Sequence, residues 1–454
     1  MPAAFIASLF LIGADVPTRS PPDPAIDMSL PEAPDIEDQI AAGASLLEDG
    51  HFDEAIQIFT AVLARAPGNG RALANRAMAY ALTNRIGEAT RDLEAAARAM
   101  PDAAILHRVR AVIADRRGDA EAERAEFSRS LELEPGNPFA LRFRAHMYQD
   151  AGDDAAAIAD ADSYIEARPH DPFGHVLKAE LLIAQHERAR AQAEADLLST
   201  QFPDNADANA SAAHIYHALS DRSRALAAIG TAIERDPGNF YYPLWRADMR
   251  RWDDFAGRRA DLEAALALDP HNGDVITRLG LVDFKEGKWS DAIAHFSAVL
   301  VREPRDFGLL AYRALAHLQA GDRALAERDY RAATAAASGP GDLSRICAVF
   351  AREGLALDWA MATCDRAVQS DAHEPSFRLN RALAELRLGR LDAALADYNA
   401  AIEADAREAD GYFGRALVLH RQGHEDAAQA DRRRAIDLQP GIVDRYRERG
   451  LEDF

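Results

Sequence analysis

The sequence is short of most things that carry chemistry. Only two cysteines, Cys347 and Cys364, stand among 454 residues, too few for a disulfide framework or a cysteine-rich zinc cluster. It has no glycine-rich phosphate loop after a strand, no nucleophile elbow, no HExxH and no cysteine–histidine metal spacing. No catalytic residue, metal ligand or cofactor is therefore assigned, and the chain reads as non-enzymatic. Lysine and arginine (52) are outnumbered by aspartate and glutamate (74), for a net charge of −22. That balance is an acidic solvated surface, without the cationic face that nucleic acid or anionic lipid requires. Aromatics make up 7% of the chain, and no apolar run reaches the roughly 18 to 20 residues that span a bilayer.

The longest apolar run is Ala3 to Ala14, followed by a stretch with Pro17, Pro21, Pro22 and Pro24. It resembles the apolar region of a secretory signal, with cleavage after Ala14, although no basic residue precedes it. The expectation is export to the periplasm or medium; the alternative is an N-terminal arm of a cytoplasmic protein. Residues 15–35 mix prolines with Asp15, Asp23, Asp27, Glu32 and Asp35 and read as a solvated linker.

What the chain does have is a beat. Pro67, Pro101, Pro135, Pro169, Pro203 and Pro237 stand 34 residues apart, Pro270 follows after 33, and Pro304 and Pro440 keep the phase. A fixed period in the range of roughly 20 to 50 residues means one structural unit stacked many times. Twelve units begin near 36, 70, 104, 138, 172, 206, 240, 273, 307, 341, 375 and 409. Place 8 of each is small: Gly43, Ala77, Ala111, Ala145, Ala179, Ala213, Ala247, Gly280, Ala314, Ala348, Ala382 and Ala416. Seven units carry glycine near place 15, where a permissive backbone ends one helix and begins the next. The pattern predicts a helix of about 13 residues, a turn, a second helix and a proline stop. Helices this short draw their stability from stacking.

These features resemble the tetratricopeptide repeat. In repeat four Ala145, Tyr148, Gly152, Ala157 and Pro169 match its pattern; in repeat one Gly43, Gly50, Phe52, Ala55, Phe59 and Pro67 do. The resemblance covers residues 36 to 442. It implies an all-α, right-handed α-solenoid whose concave groove binds a peptide or protein. Residues 36–340 form repeats one to nine, 341–442 repeats ten to twelve, and 443–454 a capping helix and tail, with Val443, Tyr446 and Leu451 covering the last repeat. The family's large apolar residue at place 4 is replaced by His107, His175 and Asn209, so those first helices are expected to pack less tightly. The family's groove for acidic C-terminal tails uses Lys and Asn at fixed places. Asn is absent from place 9 throughout, which disfavours that ligand.

Aligning the repeats on one another shows a covariation. Eight carry a base at place 7 and an acid at place 23: Arg76/Asp92, Arg110/Glu126, Arg144/Asp160, Lys178/Glu194, Arg246/Asp261, Arg313/Asp329, Arg381/Asp397 and Arg415/Asp431. The other four lack both. The expectation is a clamp inside each of the eight hairpins, worth on the order of 0 to 1 kcal/mol if exposed.

Two repeats depart from the rest. Repeat seven is one residue short and aromatic, with Phe240, Tyr241, Tyr242, Trp245, Trp252 and Phe255. The family's groove places 2, 5, 9, 12 and 13 imply Tyr241, Leu244, Asp248, Arg251 and Trp252 here, with His214, His217, Phe284 and Lys285 from neighbouring repeats. Aromatic rings and arginine suit a peptide anchor; the alternative is that these side chains serve the core. His214 and His217 lie i, i+3 on one face, but no third ligand is dictated. Repeat ten follows Ser338-Gly339-Pro340-Gly341, has Leu355 where others have the turn glycine, and lacks its closing proline. It looks like a joint between nine repeats and three, the alternative being ordinary repeat decay in a continuous stack, with Cys347 and Cys364 on facing helices as two buried thiols, or as a disulfide if the protein is exported.

Overall fold

A computed structural model describes residues 35 to 451. The apolar run at 3–14, the linker up to residue 34 and residues 452–454 lie outside the described residues. The described residues form twenty-five helices and no strand. They are twelve helix pairs and a last short helix, an all-α helical-repeat solenoid. Two compact units divide between Leu219 and Ser220, so repeat six contributes its first helix, Ala206–Ala218, to one and its second, Arg222–Arg235, to the other.

In the first unit the helices of a repeat pack against each other and against the next repeat through the small residues. Ala77, Ala111, Ala145 and Ala179 are all fully buried. Repeat one has glycine here because of a close approach: a Cβ on Gly43 would stand 2.7 Å from the Phe59 ring. One core runs from Ile40 to Leu181. Each second helix ends in a residue held out of the α region, such as Ala66 (ψ 75°) or Glu134 (ψ 78°), immediately before the proline, as the proline ring demands. Asn69, Asn137 and Asn205 then accept from the amides of Ala72, Ala140 and Ala208 and start the next first helix. Such caps contribute about 1 kcal/mol each.

The turn glycines Gly50, Gly118, Gly152, Gly287, Gly321, Gly389 and Gly423 have φ between 73° and 88°. Asn84, His186 and Ser220 take the same left-handed conformation at the same place, against the preference of side chains with a Cβ.

In the second unit the first helix of repeat seven is cut to nine residues, Tyr241–Met249, and leaves through an extended Arg250 (φ −67°, ψ 156°). The missing residue has removed the left-handed turn. Repeat ten keeps a turn glycine that the spacing had hidden. Its first helix, Pro340–Glu353, ends on Gly354 (φ 68°), one place earlier than elsewhere. The joint expected at 338–341 falls inside a single core, with Leu315 on one side and Ile346 and Phe350 on the other. The last helix, Ile442–Glu448, covers repeat twelve with Ile442, Tyr446 and Leu451, all 2% exposed or less; Ile442, rather than the half-buried Val443, fills the place. Tyr446 packs its ring 4.5 Å from that of Phe413.

Candidate functional site

The covarying charges form the most regular polar structure in the molecule. Arg144 holds Asp160 with two bonds, Nε at 2.8 Å and Nη2 at 2.7 Å. Arg76, Arg313, Arg381 and Arg415 grip Asp92, Asp329, Asp397 and Asp431 in the same two-pronged way. Lys178 reaches Glu194 at 3.0 Å and Arg246 reaches Asp261 at 2.5 Å. The eighth pair does not form: His107 takes Glu126 at 2.6 Å, and Arg110 lies 3.4 Å from that imidazole instead. The acids are not exposed, Asp160 at 4% and Asp329 at 2%, so these are buried carboxylates that depend on their partners. The bond to the aspartate pushes Arg144, Arg76, Arg381 and Arg415 above the ordinary guanidinium range.

Six of these bases also reach backward. Arg144 donates to the Ser128 hydroxyl, Arg76 to Thr60, Arg313 to Ser297, Arg381 to Asp365 and Arg415 to Asn399, always sixteen residues earlier. Lys178 pairs with Asp162 in the same way at 2.8 Å. One side chain therefore ties its own hairpin together and fastens it to the previous one. A polar residue at place 25 preceding a base at place 7 was the available signal.

Place 4 is not loose. His175 is 6% exposed and meets Glu194 at 2.7 Å, and Asn209, 3% exposed, donates to the carbonyls of Phe202, Pro203 and Asn205. Two of the repeats without a clamp have other ties. In repeat eight the fully buried Asp283 is held by His295 and by Arg259 of repeat seven. In repeat ten the cysteines at places 7 and 24 are paired as a disulfide, with Cα atoms 5.3 Å apart, and not as the two free thiols expected.

The residues singled out from the sequence do not form one surface. Tyr241 is 39% exposed, with its ring centroid 4.0 Å from Phe240 and 5.8 Å from Trp245. Arg251 is exposed and grips Asp253 with two bonds of 2.9 and 2.8 Å, which braces the shortened turn beside a half-buried Trp252. Asp248 is ion-paired with Arg278 of repeat eight. Leu244 and Phe284 are core, 7% and 3% exposed, and Phe284 sets its ring edge against Trp289 and Tyr312. Lys285 reaches Glu353 of repeat ten at 2.7 Å, two repeats away along the chain. His214 and His217 are exposed on the last helix of the first unit. Among the described residues no group of three or more His, Cys, Asp or Glu is placed to hold a metal ion. No described helix is long and apolar enough to cross a membrane.

Two further groups on the groove places were not singled out. In the first unit Arg142 lies over the rings of Phe139, Phe143 and Phe173 at 5.9, 4.9 and 5.5 Å, and burial lowers its pKa. One repeat on, burial pushes the Glu180 carboxyl up to about 7. In the second unit a cleft of about 750 Å³ opens between the loop before repeat nine and the first helix of repeat ten. Tyr312 lines it, its hydroxyl pushed up to about 12, chiefly by burial.

Three stretches match profiles of the tetratricopeptide repeat family: residues 46–113 and 277–342 match tetratricopeptide repeat profiles, and 382–423 a TPR repeat profile. Among curated proteins no sequence matches significantly. Solved structures similar to the chain include yeast Tom70, 14% identical over 91% of this chain and 94% of that one, with a TM-score of 0.43. Another is a tetratricopeptide repeat protein from Parabacteroides merdae, 16% identical over 54% of this chain and 98% of that one, TM-score 0.37. A human IFIT1 dimer is 14% identical over 89% and 90%, TM-score 0.39. With helix pairs repeating at 34 residues, small residues at every crossing and three matching stretches spread along the array, the chain is a tetratricopeptide repeat protein.

Proposed function

We propose that the protein is a non-enzymatic interaction scaffold that binds a peptide or partner protein along the inner face of its repeats. One observation carries this reading. Repeat seven gives up a regular turn and leaves Tyr241 and Arg251 exposed beside Trp252, in a chain whose aromatics are otherwise scarce. Exposed aromatic and guanidinium groups on a braced backbone are what an interface anchor needs. Asp248 flanks this surface, and Lys285 joins it if its bridge to Glu353 opens; His214 and His217 offer a separate polar surface on the first unit. The test is affinity capture of a partner by the full chain, followed by the Arg251→Ala, Trp252→Ala double variant. Loss of the partner from a folded variant supports the assignment, and full retention overturns it.

A second reading is that the scaffold is exported and serves assembly or secretion at the cell envelope. The Cys347–Cys364 pairing supports it, because disulfides persist in oxidising compartments. Cell fractionation with N-terminal sequencing tests it: a mature chain beginning after Ala14 outside the cytoplasm agrees, and an intact Met1 in the cytoplasm overturns it.

A further inference from the structure

We infer that the cleft between repeats nine and ten is a docking site for an extended, acidic peptide, read through its side-chain carboxylates. This rests on the scaffold reading and assigns it a second, chemically defined place.

The cleft is lined by Arg305, Arg345 and Arg352, and by Phe307, Tyr312 and Val349. All three arginines are exposed. Among the described residues none of their guanidinium groups makes a hydrogen bond or ion pair, whereas clamp arginines throughout the array are bonded to carboxylates. The acids around them explain why. Asp306 is used as a cap, accepting from the Leu309 amide at 2.8 Å. Asp342 accepts from the amide and hydroxyl of Ser338, which lowers its pKa. Glu353, next to Arg352, is taken by Lys285. Glu303 is the one lining carboxylate not so engaged. In a protein of net charge −22, the lining of this open, partly aromatic cleft carries three guanidinium groups against two carboxylates, Glu303 and Asp306.

Spacing narrows the ligand. Arg345 and Arg352 are seven residues apart on one helix, about 10 Å along its axis. In a polyproline II peptide, residues i and i+3 lie on the same edge about 9 Å apart. Two acids separated by two residues would meet both guanidinium groups, with the intervening residues over Val349 and the rings. A terminal carboxylate is not needed, consistent with the absence of Asn at place 9. The lone Arg305, on the loop, would meet a third acid beyond the pair.

The test uses the full chain and a fluorescein-labelled peptide, Asp-Pro-Pro-Glu-Pro-Phe-Asp, acetylated and amidated at its ends, followed by fluorescence anisotropy. The expected result is saturable binding that weakens with salt, falls about tenfold in each of Arg345→Ala and Arg352→Ala, and survives in part in the Arg345→Lys, Arg352→Lys variant. These side chains are exposed, and unchanged thermal unfolding would show the variants folded. Absence of saturable binding, equal binding by the double alanine variant, or equal binding of a peptide with Asn and Gln in place of its acids would each overturn the inference. A partner captured through Arg251 and Trp252 while this peptide is ignored would remove the cleft and leave the scaffold standing.

Discussion

Repeats four and ten hold two helices at the same level by opposite chemistry. In repeat four a guanidinium grips a buried carboxylate and reaches back to a serine; in repeat ten a covalent bond joins Cys347 at the same place 7 to Cys364 at place 24, one residue beyond the acid's place. The residue sixteen before Cys347 is Arg331. An arginine at 347 would face a base where its counterparts find an acceptor. The comparison teaches that the two helices of a repeat can be tied at this level either by charge or by a covalent bond.

The comparison breaks most sharply at the ion pair. Arg144→Ala strands Asp160 without its counter-charge and is expected to cost about 3 kcal/mol, seen as a lower urea midpoint at pH 7; Asp160→Asn in that background should recover much of it. Reduction of the disulfide, which closes a loop of 17 residues in sequence separation, is expected to cost about 3 kcal/mol or somewhat less. The repeat-ten helices should then lose amide protection while repeat four keeps its own. Non-reducing alkylation followed by mass measurement checks the bond directly.

A buried carboxylate that no base reaches should behave in the opposite sense to Asp160. Glu180 is held at about 7 by burial, against 4.5 ordinarily. The folded state therefore binds a proton more tightly than the unfolded state. Its contribution is fully present below about pH 4.5 and is lost as pH rises through 7, by about 3 kcal/mol. Glu180→Gln should flatten this decline in unfolding midpoint between pH 5 and 8. Smaller effects follow from the backward arm and the turn. Ser128→Ala should cost about 1 kcal/mol, and His186→Gly, at φ 62°, should stabilise by about 0.5 kcal/mol, both readable in thermal unfolding.

The repeat register was legible because each repeat tests it again: small residues at place 8, proline at 32 and the covarying charges leave one solution. The polar detail was less so. Arg110 and Glu126 share the pattern of their counterparts, yet His107 competes for the same carboxylate, and only the side-chain positions decide between two donors. Phe284 sits at a groove place by counting and in the core by packing, because Trp289 and Tyr312 close over it. Arg345 and Arg352 were invisible as a site, since what distinguishes them is the engagement of Asp306, Asp342 and Glu353 elsewhere. A sequence shows which charges exist, and far less well which partners they take.

The backward reach of the clamp bases bears on how the array comes apart. Where such a link exists, opening one repeat exposes a donor belonging to its neighbour, so adjacent repeats melt together, as in a one-dimensional chain with a strong nearest-neighbour term. The position sixteen before Arg246 is Gly230, which has no side chain to accept, and Arg246 and Arg250 both turn to Asp261 instead. The seam between the second helix of repeat six and repeat seven therefore lacks the coupling that Arg144 and Arg313 supply between repeats three and four and between repeats eight and nine. Hydrogen exchange would be expected to show cooperative blocks on its C-terminal side, with opening beginning at that seam.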